Sequence, residues 1–177
     1  MQATEADQGI GITKATFDST ISVLNQILSD EHVLLMKLRN YHWNVTGPRF
    51  RELHAVFDEQ QLIIGTRTDE VAERVRALGA RAMATMTEYL HRTAIREHPS
   101  SFPAANEMLH NLLADHKTII RFIRGLLTPS KEGDLDVGTT HLLTDLIQDH
   151  EEMAWAIRAT LPDKLDDHQE RYSVLYE

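Results

Sequence analysis

The chain of 177 residues contains no cysteine. That excludes a disulfide framework, a thiol nucleophile and any thiolate-bound metal site, and it accords with a reducing compartment. No apolar run approaches the roughly 18 residues that a membrane span requires, and the start, MQATEADQG, lacks the basic-then-apolar pattern of a secretory leader. The expectation is a cytoplasmic chain without membrane contact. Positive charge is scarce: 18 Lys and Arg stand against 27 Asp and Glu, a formal net charge of −9. Such a chain is a poor partner for phosphate backbones and a reasonable one for cations. What is present, 42% hydrophobic and 25% charged residues, makes up one globular domain with a substantial core. Ten histidines are more than core packing asks for.

Residues 1–15 are small, polar and glycine-containing, and read as a flexible tail. From Phe17 apolar residues recur at 17, 21, 24, 28, 35, 38 and 45, a helical seam that Thr46-Gly47-Pro48 interrupts. A second helix runs to Leu78 with core stripe Phe50, Leu53, Phe57, Ile64, Val71, Val75 and Leu78, and Gly79 stops it. Residues 80–102 are a mixed connection with a short helix expected around Thr87 to Arg92. Ser101-Phe102-Pro103 opens a third helix with seam Leu109, Leu112, His116, Ile120, Ile123 and Leu127. The loop TPSKEGDLD separates it from a fourth, about Val137 to Leu161, with seam Leu143, Ile147, His150, Ala154, Ile157 and Leu161. Pro162 ends that helix, and residues 163–177 form a polar tail. The domain is therefore expected over residues 16–162. Four long amphipathic helices without strand signals make an antiparallel four-helix bundle the economical fold, and the long second connection is the pattern of ferritin-like bundles.

The second helix carries a second specialised face. His54, Asp58, Leu62, Gly65, Asp69 and Glu73 step by four, four, three, four and four, a palindrome about the gap between Ile63 and Ile64. On a helical wheel they lie about 60° to 160° from Phe57, off the core stripe. The pairs His54/Asp58 and Asp69/Glu73 have centres about 22 Å apart at 1.5 Å per residue. One ion with bonds near ~2 Å spans no such gap within one chain. An antiparallel copy of the same helix resolves this, because a two-fold axis at the palindrome's centre sets His54/Asp58 of one subunit against Asp69/Glu73 of its mate. Gly65 would let the two backbones approach, and Leu62 would seal the middle. His42, inward on the first helix's seam just before the turn, joins the same pocket. Imidazole and carboxylate without sulfur suit iron or another borderline first-row ion better than calcium. The plain alternative is an exposed helical surface, with Glu70 paired to Arg74 and His54 merely packed.

At these residues the chain resembles the Dps family, the mini-ferritins named as DNA-binding proteins from starved cells. The likeness rests on YHWNVTG at Tyr41 to Gly47, ELHAVFDE at Glu52 to Glu59 and DEVAERVRALG at Asp69 to Gly79, with EEMAWAIRATL at Glu151 to Leu161 similar to the family's last helix. The resemblance implies an all-α ferritin-like bundle with a short extra helix in the crossover, assembling through two-fold and three-fold interfaces into a hollow dodecamer. It implies a ferroxidase centre of His42, His54 and Asp58 from one subunit with Asp69 and Glu73 from its two-fold mate. There Fe(II) would be oxidised by hydrogen peroxide or dioxygen, with ferric mineral stored inside as protection against oxidative damage. Trp43 occupies the family's tryptophan position beside that centre, where packing and electron donation are the alternative roles.

Other readings are kept beside this one. The same ligands bind zinc well, so a zinc-occupied or non-oxidising metal-buffering shell is the non-enzymatic alternative. DNA binding or condensation, the other family property, fits poorly. Lys14 stands against Glu5 and Asp7 at one end, and Lys164 and Arg171 against Asp163, Asp166, Asp167, Glu170 and Glu177 at the other, so weak binding or none is expected. Glu88/His91 and Glu107/His110 match a Glu-x-x-His pattern, but the second pair faces away from its helix's seam and the first sits in the connection. His116 and His150, central on their seams, read as core histidines bonded to a backbone carbonyl or a tyrosine, with an internal metal site as the alternative. Glu132, Asp134, Asp136, Asp145 and Asp149 resemble the acidic lining of the family's three-fold pores, against the alternative of a solvated loop and helix-terminal acids.

Overall fold

The computed structural model describes residues 9–128 and 135–161. They form five helices in the order α1 (Lys14–Asn44), α2 (Phe50–Ala77), α3 (Met86–Arg92), α4 (Ala105–Leu126) and α5 (Val137–Thr160). No strand occurs among the described residues. Helices α1 and α2 pack against each other, as do α4 and α5. Contacts of α1 with α4 and of α2 with α5 close the four-helix square, and α3 lies against α1. Pro162, the tail beyond it, and Glu132 and Asp134 fall outside the described residues.

Local chemistry accounts for the boundaries. Thr13 caps α1 by accepting from Thr16 N, so the helix opens at Lys14 rather than at Phe17. Thr85 and Glu88 form a capping box at α3, which assigns Glu88 to a helix start instead of a metal. Asp136 caps α5. The third long helix begins at Ala105, later than Ser101-Phe102-Pro103 suggests, and Phe102 is exposed. A proline disfavours helical backbone at the residue before it, so Phe102 stays outside.

The core gathers Leu24, Leu28, Leu34, Leu38, Leu53, Phe57, Ile64, Val71, Leu109, Leu112, Ile123, Leu143 and Ile157, all fully buried. Each such side chain contributes about 1.5–3 kcal/mol over leaving it in water. Two seam expectations shift. Leu35 is half-buried while Leu34 is wholly inside, because a seven-residue step drifts by about 20° on a straight helix. Phe50 is 44% exposed: it opens α2, ahead of where the bundle closes over that stripe.

Polar ties fix the crossover. Asp30 accepts from Thr93 Oγ1 (2.8 Å) and Ala94 N (2.6 Å), holding the end of α3 on α1. The Lys37–Asp115 pair, 2.6 Å apart and nearly buried, joins α1 to α4. Burial pushes the Asp115 carboxyl up, and Lys37 pulls against it.

Candidate metal centre

Between α1 and α2 the chain reverses over a few residues. Val45 N bonds back to Tyr41 O, Gly47 takes φ 103° and Phe50 N donates to Gly47 O at 3.0 Å. That φ belongs to glycine. The turn sets the last residues of α1 beside the start of α2.

There His42 and His54 stack, ring centroids 3.7 Å apart and planes 24° from parallel. His42 Nδ1 donates to the His54 carbonyl at 3.0 Å, and His54 Nδ1 donates to the His42 carbonyl at 2.9 Å. A carbonyl oxygen only accepts, so both Nδ1 atoms carry the hydrogen, and in the neutral tautomer that this selects, both Nε2 atoms keep a free lone pair. This is the tautomer of a metal-ligating imidazole, whose other ring nitrogen is held by an acceptor. The two histidines supply that acceptor for each other.

Asp58 lies one turn beyond His54, exposed, and accepts a hydrogen bond from Gln61 Nε2. Gln61 was not singled out from sequence, although its position three residues on from Asp58 is a side-chain pairing distance in a helix. Further along α2, Asp69 and Glu73 are exposed on the same stripe, and Leu62 between the pairs is 67% exposed. A Cβ added at Gly65 would meet nothing within 4 Å, so nothing in the described chain requires glycine there. Trp43, 67% exposed, projects at the same end as the histidines, and the Phe50 ring lies 5.1 Å from that of His54. One subunit thus brings His42, His54 and Asp58 to one end of the stripe and leaves Asp69 and Glu73 at the other. Among the described residues, no three His, Asp or Glu side chains converge as a metal-holding group.

The remaining candidates sort as follows. Glu107 and His110 are exposed, as the wheel indicates. Glu70 pairs with Arg67 at 2.6 Å, not with Arg74, because Arg74 is drawn across to Asp136 at the head of α5. Burial pushes the Asp136 carboxyl up, but bonds from Thr139 and the Arg74 charge bring it below the usual range. Asp149 is held by Arg67 at 2.5 Å, and Asp145 sits 3.9 Å from His141. His116 and His150 bond neither to a backbone carbonyl nor to a tyrosine. They bond to each other at 2.9 Å and to Gln60 and Glu31, a pairing that becomes possible only when all four helices meet.

A profile described as the ferritin-like domain matches residues 21–164. The bundle, its long crossover and the helix order place the chain in that class. An uncharacterized low temperature-induced protein of Nostoc sp. is 39% identical over 150 residues, 85% of this chain and 84% of that one. DNA protection during starvation protein 2 of Bacillus anthracis is 36% identical over 141 residues, 80% of this chain and 95% of that one. Among solved structures, the Dps protein of Vibrio cholerae, described as one of the ferritin-like diiron-carboxylate proteins, has a TM-score of 0.82 at 31% identity, covering 92% of this chain and all of its own. A Dps homologue of Halobacterium salinarum has a TM-score of 0.83 at 26% identity, covering 93% of each chain. Within the ferritin-like class, the chain belongs to the Dps family.

Proposed function

We propose that the protein is a ferroxidase and iron-storage mini-ferritin of the cytoplasm, whose centres form between two subunits and whose twelve subunits enclose a ferric store. The observation that carries this is the His42–His54 clasp, which leaves two Nε2 lone pairs free beside Asp58 on a face with exposed Leu62 and Trp43. In the paired arrangement His42, His54 and Asp58 of one subunit meet Asp69 and Glu73 of its mate, and Fe(II) is the substrate. Carboxylates, as hard ligands, favour Fe(III) over Fe(II) and so favour the oxidised product. The imidazoles hold the ion without a redox-active group of their own, and Gln61 orients Asp58. Hydrogen peroxide or dioxygen takes the electrons. Trp43 packs over the site. The acids Asp136, Asp145 and Asp149 form the entry route for the cation.

Shared sites predict complementation. The His54→Ala and Glu73→Ala variants should each fail to form ferric absorbance after anaerobic Fe(II) loading and peroxide addition. Co-expressed, they form mixed dimers in which one site carries both substitutions and the other carries neither, so about a quarter of the sites return with random pairing. No recovery, or full activity in either single variant, refutes the shared centre. Retention of zinc or Fe(II) with no ferric absorbance in the native protein favours the metal-buffering reading instead.

A further inference from the structure

Away from the α2 stripe, the centre of the bundle holds a polar chain that the proposed function does not use. Each long helix supplies one member: Glu31 from α1, Gln60 from α2, His116 from α4 and His150 from α5. Glu31, His116 and His150 are 0% exposed and Gln60 3%. Glu31 Oε1 lies 2.7 Å from His150 Nε2, His150 Nδ1 lies 2.9 Å from His116 Nδ1, and His116 Nε2 lies 3.4 Å from Gln60 Oε1. Gln60 Nε2 donates to the Met153 carbonyl at 3.4 Å.

The hydrogens in this chain can be counted. The Met153 carbonyl only accepts, so it fixes the amide with its nitrogen toward α5 and its oxygen toward His116. That oxygen also only accepts, so His116 Nε2 carries a hydrogen. The contact between the two Nδ1 atoms needs one hydrogen. The contact between Glu31 and His150 needs another, whether it rides on the ring or on the carboxyl. Three contacts require three hydrogens, while one carboxylate and two neutral imidazoles bring two.

We propose that the bundle core binds one additional proton per subunit, held along Glu31, His150 and His116, as a latch between the four helices. With it the chain is electrically neutral and every contact has a donor. Without it, two lone pairs face each other at 2.9 Å or the Glu31 carboxylate loses its donor. Glu31 Oε2 is already buried with no partner, so the carboxylate depends on Oε1. Nearby charges are committed elsewhere: Asp30 to Thr93 and Ala94, Asp115 to Lys37, Asp149 to Arg67 and Glu151 to Arg124. Burial, with the charge of His150, pushes His116 well down, which keeps the proton at the Glu31–His150 end.

The pH dependence follows from the same count. A folded core that holds one proton more than the neutral unfolded chain loses stability as the pH rises. Below about pH 6.5 the unfolded chain protonates both rings while His116 resists, so stability is lost in acid as well.

The test uses assembled protein labelled with 15N-histidine at about pH 8.5, where histidines of ordinary titration are neutral. Nitrogen NMR should show one imidazolium per subunit, or infrared spectroscopy of the same sample one protonated carboxyl, and Glu31→Gln should remove either. Ten neutral histidines with no protonated carboxyl overturn the proposal, even if Glu31→Gln fails to fold. So does one metal ion per subunit retained by the His54→Ala, Asp58→Ala double variant and released by His150→Gln.

Discussion

Replacing Leu62 with alanine or aspartate tests the antiparallel pairing of α2 directly. Leu62 is 67% exposed in the subunit and contributes little to its own bundle. Full burial of a leucine is worth about 1.5–3 kcal/mol, so about two thirds of that, roughly 1–2 kcal/mol, remains to be gained when the face is covered. A two-fold axis doubles it: each dimer covers two copies, about 2–4 kcal/mol together, or roughly 30- to 700-fold in the dimer constant. Leu62→Ala should forfeit most of this. Leu62→Asp should forfeit more, because it sets two carboxylates near the axis in an apolar seam. Helix content by circular dichroism should stay unchanged in both, which separates lost pairing from lost folding. Sedimentation velocity over a concentration series reads the pairing, and ferric absorbance reads the centre. Leu62→Asp that associates with the native constant and oxidises Fe(II) at the native rate would refute the crossing of the two helices.

The same geometry makes Gly65 informative: Gly65→Ala should stabilise a lone α2 by about 1 kcal/mol through helix propensity yet weaken subunit pairing, whereas equal or tighter pairing would show that the backbones do not approach there. Asp136→Ala removes the α5 cap and the Arg74 partner, and should lower stability near neutral pH by about 1–2 kcal/mol in chemical denaturation. Because the folded Asp136 carboxyl lies below its ordinary value of 3.8, that contribution is present above about pH 4 and fades as the pH falls through the lower folded value; a deficit unchanged at about pH 2.5 would contradict this. In a gel-shift at moderate salt the protein should leave duplex DNA unretarded, since neither terminal segment offers a cluster of positive charge, and tight retardation would overturn that expectation.

Much of the bundle is readable from local pattern. The seams of α2 and α4, the short α3, the break at Gly47 and the outward aim of Glu107 and His110 all follow from a 3.6-residue period and from residues that cap or break helices. Where the pattern misleads, the cause is identifiable. Phe50 has the right phase but lies beyond the end of the packed region, and Leu34 replaces Leu35 because the phase drifts along a helix of 31 residues. Arg74 has a reasonable partner one turn away in Glu70, and forsakes it for Asp136, 62 residues on.

The order of residues alone determined which face each helix offers, because that depends only on spacing along one axis. It was enough to put His54, Asp58, Asp69 and Glu73 on a single stripe and to show that one chain cannot close a site from them. Only the tertiary structure decided what those faces meet. The reciprocal bonds of His42 and His54 join residues 12 apart, and the Glu31–His150 contact joins residues 119 apart. Such contacts depend on the height and rotation of one helix against another, which packing of the whole core sets and no single helix encodes.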